Sequence, residues 1–290
     1  MSVVLENNYL RVGINEKGAE LRSVESIKTN LQYMWSGDPA FWGKISPILF
    51  PIVGTLRDDT FFYRGRSYSL TRHGFARDMI FEVKDQKDEE ASFLLSSNEA
   101  LREKFPFDFK LEVKYSIDGD QLIVGYHVQT TDDEPLYFSI GAHPAFKVPL
   151  VDRSAFEDHY LEFEVVENAE RWPINDHGLI KNQSIPFLSK ALTIRLRHEL
   201  FAEDALVFKD IQSKKIYLRS EKHDHGLEFS FEGFPFLGIW SAPNADFVCI
   251  EPWCGIADSE SHNQQLVNKE GIIKLFRGSV WTRTWKVRFY

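Results

Sequence analysis

Cysteine is nearly absent: the 290 residues contain 2, Cys249 and Cys254. A disulfide framework draws on more, so a reducing, cytoplasmic setting is the simpler expectation. Neither cysteine sits in a CxxC or Cys/His cluster, so no structural zinc is expected. Positive charge is also scarce. With Lys+Arg 34 against Asp+Glu 43, the formal net charge is -9. A nucleic-acid-binding surface is basic, so nucleic acid is not an expected partner, although a local arginine can still hold a phosphorylated ligand. No apolar run approaches a membrane span in length. The opening MSVVLENNYLRVGINEKG lacks the basic segment, apolar core and small-residue cleavage site of a signal peptide. Gly-rich phosphate loops, activated serine or cysteine signatures, linker runs and internal repeats are missing too. Strong helical periodicity occurs almost nowhere. One domain spanning residues 1–290 is the simplest organisation.

What the chain has in quantity is aromatic side chains: Phe 24, Tyr 10 and Trp 7. Such residues suit half-buried pleated surfaces, so the composition leans towards β structure. Residues 109–117 alternate Leu111, Val113, Tyr115 and Ile117 on one face. Asp118-Gly119 is a turn pair, and Leu122, Val124, Tyr126 and Val128 alternate on the return. This is the clearest antiparallel hairpin. Residues 61–63 and 67–70 flank a second, shorter one about Arg64-Gly65-Arg66. Further strands are expected at 3–14, 19–24, 80–83, 161–166, 193–196, 215–219, 227–231, 236–240, 247–250 and 281–289. Lys84 to Glu90 reads as a solvated charged loop, and Arg171 to about Leu192 as a long loop. Ser96 to Glu99 resembles a capping box with Ser96 as N-cap, opening a short connector helix that must stop before Pro106. Ser46 to Gly54 is apolar but holds Pro47 and Pro51, so it reads as a buried, irregular crossing rather than a central strand. The expected architecture is a large antiparallel β-sandwich with minor short helices, its site built from loops at strand ends.

Chemistry concentrates at a few places. In Ser139 to Phe146, SIGAHPAF, Pro144 holds His143 extended between small neighbours, which lets an imidazole face a cavity as a proton donor; the alternative is a core or turn histidine with a satisfied ring. Glu251 repeats the arrangement, at the expected end of an apolar strand and before Pro252. A lone buried carboxylate needs partners or a function. His73 precedes Gly74, where backbone can approach a ligand closely. Arg57 follows the irregular crossing and either reaches back into its cavity or is a solvated surface arginine. Asp204 sits just before the apolar run 205–208. His223 and His225 make an HxH pair, read as a solvated hairpin tip rather than a metal site. An imidazole with a carboxylate suggests proton transfer in both directions, and Trp240 and Trp253 nearby suggest a sugar, whose C–H faces stack on aromatic rings.

These segments together, SPILFPIVGTL, RHGFARD, SIGAHPAF, EDALVF and CIEPWCGIAD, occur in the order found in the aldose 1-epimerase (galactose mutarotase-like) family, and the chain most closely resembles its LacX-type bacterial branch. The resemblance implies an all-β supersandwich and an isomerase needing no metal or organic cofactor. It implies roles for residues as well: His143 as general acid on the ring oxygen, and Glu251 as base on the anomeric hydroxyl. It places His73, Asp204 and Arg57 near the substrate; Trp240, close to Glu251 in sequence, and Arg77, an available basic group, are the further candidate substrate contacts. Galactose-specific members usually carry an asparagine with that arginine and an aromatic pair after the histidine. This chain has Thr55-Leu56-Arg57 and Pro144-Ala145-Phe146 instead. A hexose is the expected partner. A hexose 6-phosphate, with Arg57, Arg72 and Arg77 as the available basic groups, and a non-catalytic sugar-binding protein remain as alternatives. Monomer and homodimer are both compatible with the sequence.

Overall fold

The computed structural model describes residues 2–290. The largest sheet has nine antiparallel strands in the order Ile185–Arg195, His159–Arg171, Lys215–Ser220, Leu227–Ser230, Val280–Phe289, Gln121–Gln129, Lys110–Asp118, Glu90–Ser96 and Glu82–Gln86. The hairpin expected about Asp118-Gly119 lies in its middle, with Val113 opposite Tyr126 and Tyr115 opposite Val124. Along Lys110–Asp118 every second side chain is buried, the period-two signature of a sheet with one covered face. That face meets the rest of the molecule through aromatic contacts such as Phe146 with Phe229 and Phe138 with Trp281. Trp285 is fully enclosed and donates its indole N–H to the Tyr126 hydroxyl, which satisfies the polar atom that burying this ring would otherwise strand.

The second main sheet is smaller and almost entirely internal. Ile140–Gly141, Phe247–Cys254, Phe236–Trp240 and Leu206–Phe208 lie side by side, and Ala145–Lys147 joins Phe247–Cys254 beyond the first of them. All eight residues of Phe247–Cys254 are buried. Three N-terminal strands, Ser2–Glu6, Leu10–Asn15 and Glu20–Ser26, form a sheet of their own. A continuous apolar cluster runs from Val3 to Phe289.

The irregular crossing is as expected. Residues 46–54 are all buried, yet they pair only through single bridges, Leu49 with Gly141 and Phe50 with Gly74. Their backbone groups find partners elsewhere: Phe50 N–H donates to the His73 carbonyl, and Ser139 N–H donates to that of Pro51. Several local expectations are corrected. The short helix is Glu99–Lys104, capped by the Asn98 side chain accepting from Leu101 N–H rather than by Ser96; Ser96 is still in a strand. The long loop after Arg171 is shorter than expected, because Ile185–Arg195 pairs with His159–Arg171. Most of the charged run from Lys84 to Glu90 belongs to two paired strands, since an edge strand accepts charged side chains on its open face. Among the described residues, no helix is long and apolar enough to cross a membrane.

One buried ion pair braces the loops that carry the site. Lys269 and Asp258 meet at 2.8 Å with both side chains fully buried. Asp258 also accepts from Arg57 N–H, and its own N–H donates to the Thr55 carbonyl. Burial pushes the Asp258 pKa up, but His262, the Lys269 ammonium and the Arg57 amide outweigh it and bring it to about 2. The folded value lies below an unfolded carboxylate near about 3.9, so this group stabilises the fold above that pH and loses its contribution as pH falls towards 2. The term amounts to about 2–3 kcal/mol. Asp258→Asn should lower stability at pH 7 by about 3–5 kcal/mol, because it leaves a buried ammonium unpaired. In urea unfolding, the gap between wild type and variant should narrow as pH drops from 5 towards 2; a gap of constant size would remove the pair from this role.

Candidate active site

The internal sheet brings His143 and Glu251 together by register alone. Gly141 pairs with Trp253, and Ala145 pairs with Cys249. His143, midway along one side, must therefore face Glu251, midway along the other. Residues 142–144 are not regular strand themselves but stay against the facing one: Ala142 N–H donates to the Pro252 carbonyl, and Ile250 N–H donates to that of Pro144. Pro252 is tolerated in this buried strand because only the bond its missing N–H would return is lost. Glu251 is thus in the interior of Phe247–Cys254, not at a strand end as expected.

His143 Nε2 lies 3.2 Å from the Glu251 carboxylate, with both side chains buried. The imidazole is held on three sides. Trp42 stacks on it at 4.8 Å, while Trp240 and His73 meet it edge-on at 5.7 Å each. Burial, with the Arg72 charge adding to it, lowers the His143 pKa to about 3. Burial also pushes the Glu251 carboxyl well above its ordinary value, against the pull of Arg72. Both directions work against an isolated charge on either group. A neutral pair and an imidazolium–carboxylate pair contain the same proton and differ only in its position across that contact.

His73 sits in left-handed backbone, φ 70, a costly conformation for a residue with a side chain. It is pinned reciprocally: its N–H donates to the Gly54 carbonyl, and Gly54 N–H donates to His73 Nδ1 at 3.1 Å. Burial and the Arg72 charge hold its pKa well below the usual histidine value. A neutral ring that accepts at Nδ1 carries its proton on Nε2 and is a donor there. Gly54 has φ 72, and a Cβ at that position would lie 2.4 Å from that of Ala257, so this loop requires glycine.

These groups line a cavity of about 300 Å³ together with Trp42, Arg72, Arg77, Asp204, Ala205, Trp240 and Trp253. Arg72 grips Asp204 through two hydrogen bonds, 3.2 and 3.3 Å. Arg77 donates to the Arg72 carbonyl, and its buried Nε has no hydrogen-bond partner. His143 Nδ1 is likewise buried without one, and unpaired polar atoms in a cavity favour a polar ligand. The sequence candidates His143, Glu251, His73, Asp204, Trp240 and Arg77 all converge here. Arg57 does not: its guanidinium turns to the His262 carbonyl at 3.1 Å, is exposed, and is not part of the cavity wall. Arg72 occupies the cavity wall instead. Trp42 escaped the sequence reading because it comes from an aperiodic turn segment that tertiary packing folds over His143. Cys249, which sits in no Cys/His cluster of the sequence, has His143 and Glu251 as neighbours in space, all three ligand atoms lying within 4.8 Å of one another. At the HxH turn, the His223 ring is not a free tip but packs 5.3 Å from His159.

An all-β fold of this topology, with an imidazole and a carboxylate facing a sugar-sized cavity walled by tryptophans, belongs to the class of carbohydrate isomerases. Comparison with known proteins agrees. The sequence profile described as Aldose 1-epimerase matches residues 1–285, and the chain belongs to that family. It is 33% identical over 286 residues to the plasmid and chromosomal LacX proteins of Lactococcus lactis subsp. lactis, covering 95% of each chain. A galactose mutarotase related enzyme from Lactobacillus acidophilus superposes with a TM-score of 0.96 at 34% identity, over 100% of this chain and 97% of that one. A galactose mutarotase-like protein from Lactobacillus casei ATCC 334 gives 0.94 at 31%, over 100% of both. The fold is galactose mutarotase-like, and the protein is an isomerase of the aldose epimerase kind.

Gly238 pairs with Glu251 on the side away from His143. A Cβ there would lie 2.4 Å from the Trp253 ring. Gly238→Ala should cost about 1–3 kcal/mol through overpacking and displace Trp253, visible as altered near-ultraviolet circular dichroism. Gly125→Ala is the control. Its Cβ would find its nearest neighbour at 3.5 Å, so stability should stay level or rise by about 0.5–1 kcal/mol. Equal effects of the two would show that Gly238 does not set the ring's position.

Proposed function

We propose that the protein interconverts the α and β anomers of a hexose, with His143 and Glu251 as the acid–base pair. The observation that carries this reading is the 3.2 Å contact between the two side chains in the cavity. Anomer exchange needs one proton delivered to the ring oxygen and one removed from the anomeric hydroxyl. Both oxygens are bonded to the same carbon, so two adjoining groups can serve them at once. Glu251 as carboxylate takes the hydroxyl proton, and His143 as imidazolium protonates the ring oxygen. The ring opens to the aldehyde, the C1–C2 bond rotates, and the reverse transfers close the other anomer. The pair ends with the one proton it began with. Each positioned group contributes on the order of 10²–10⁴-fold.

The remaining wall groups suit hydroxyl recognition. His73 offers a donor at Nε2, Asp204 an acceptor held in place by Arg72, and Trp42, Trp240 and Trp253 offer faces for C–H groups. Galactose is the first substrate to test, because the two similar lactobacillus structures are described as galactose mutarotase related or mutarotase-like. A phosphorylated hexose is the second reading, and Arg77 favours it, since its Nε makes no hydrogen bond and has only the Asp78 carboxylate at 3.7 Å. Against it, Arg72 is already engaged by Asp204, so the rim offers no free guanidinium pair for a phosphate.

Polarimetry on freshly dissolved α-galactose, α-glucose and glucose 6-phosphate tests the assignment. Glu251→Gln and His143→Asn should each slow anomer exchange by about 10²–10⁴-fold while leaving the circular dichroism spectrum unchanged. Near-normal rates in either folded variant would refute the pair. Saturable sugar binding by the wild type without faster exchange would make the protein a carbohydrate-binding module instead.

A further inference from the structure

Proton transfer leaves one member of this cluster without a task. Cys249 precedes Glu251 by two residues in Phe247–Cys254, so the alternation of a strand puts both side chains on the same face. Its thiol is free and completely buried. One ligand atom from each of His143, Cys249 and Glu251 lies within 4.8 Å of the other two. A tetrahedral zinc ion with bonds of about 2.0–2.3 Å separates its ligand atoms by about 3.3–3.6 Å. The Nε2-to-carboxylate distance is 3.2 Å, already one edge of that tetrahedron. The thiol needs a shift of about 1.5 Å at most to complete the triangle. Two of the three ligands share one strand, and the third hangs from the segment registered against it, so the triangle belongs to the rigid internal sheet.

We infer that His143, Cys249 and Glu251 form a binding site for a borderline-soft divalent cation of the zinc class, and that filling it stops turnover. The ligand set selects the cation: a thiolate and an imidazole favour zinc or cobalt over magnesium or calcium, which prefer oxygen. His143 and Glu251 line the cavity, which leaves the fourth position open to water or a sugar hydroxyl. Binding releases the thiol proton, and any proton the His143–Glu251 pair holds, to solvent. It also occupies the imidazole lone pair and the carboxylate oxygen through which the acid–base pair would act, so the cation competes with the sugar. The inhibitory consequence rests on the epimerase reading; cation binding itself does not.

Cobalt titration of the full-length, chelator-treated protein tests binding without any sugar. A thiolate-to-cobalt charge-transfer band in the near ultraviolet is expected. It should be abolished in Cys249→Ala and Cys249→Ser, kept in Cys254→Ala, and displaced by zinc. Absence of the band in the wild type, or its survival in both Cys249 variants, overturns the site. In polarimetry, micromolar zinc should slow wild-type anomer exchange, a chelator should restore it, and millimolar magnesium should do neither. Cys249→Ala should exchange anomers at about the wild-type rate and require about tenfold more zinc for half-inhibition, as loss of one ligand implies. Equal zinc sensitivity of wild type and Cys249→Ala would sink the inhibitory claim. Failure of anomer exchange in zinc-free wild type would instead refute the catalytic reading, and the cobalt band would still report on the metal.

Discussion

The structure depends on a contact fixed by strand register. Gly141 opposite Trp253 and Ala145 opposite Cys249 leave His143 no position but the one facing Glu251. A slip of one residue would turn the side chain of the moved strand to the other face of the sheet and separate the two. The sheet is buried on both sides, so such a slip would also force the moved side chains into the packing of the opposite face. The same packing that stabilises the fold therefore sets the geometry of the proposed acid–base pair. Burial then bears on the pair's charge. It disfavours an isolated charge on either group, and a shared proton is the arrangement both can accept.

Around this rigid contact, the other wall groups come from loops that needed separate support. His73 is held in left-handed backbone, which persists only where surrounding structure over-determines it. Its supports are the two hydrogen bonds with Gly54 and, behind that loop, the buried Asp258–Lys269 pair. Arg57 belongs to this bracing. Its amide donates to Asp258 and its guanidinium to the His262 carbonyl, so it acts on the cavity only through the loop. A residue next to a site in sequence can be part of the frame rather than the lining, and Arg57 is the clearest instance here.

The aromatic groups divide in a similar way. Most phenylalanines fill the interior between the sheets, where ring-on-ring contacts such as Phe50 with Phe109 at 5.0 Å close the core. The tryptophans at the cavity act differently. Trp42 covers His143 and keeps water from the imidazole, while Trp240 braces both rings edge-on. The loop that delivers Trp42 is anchored by the indole N–H of Trp35 donating to the Trp42 carbonyl. Exclusion of water there underlies the low basicity of His143, which ties the packing of one turn segment to the chemistry of the site.

Much of this could be read from the chain by itself. The alternation between Leu111 and Val128 determined the central hairpin, because period-two burial is a local property of a strand. The two prolines between Ser46 and Gly54 determined an irregular buried crossing, because a residue without an N–H cannot serve a central ladder. The His-Pro and Glu-Pro junctions, with their neighbours in order, marked the candidate acid and base. What the sequence did not contain was position in space. Glu251 was expected at a strand end, yet its strand continues past Pro252, because Pro252 still accepts from Ala142 N–H on one side and pairs with Leu237 on the other, both far away in the chain. Arg72 rather than Arg57 reaches the cavity, Trp42 closes it, and Cys249 joins His143 and Glu251. Each of these was decided by long-range packing and strand pairing, which bring together residues whose separation in sequence carries no signal of their contact.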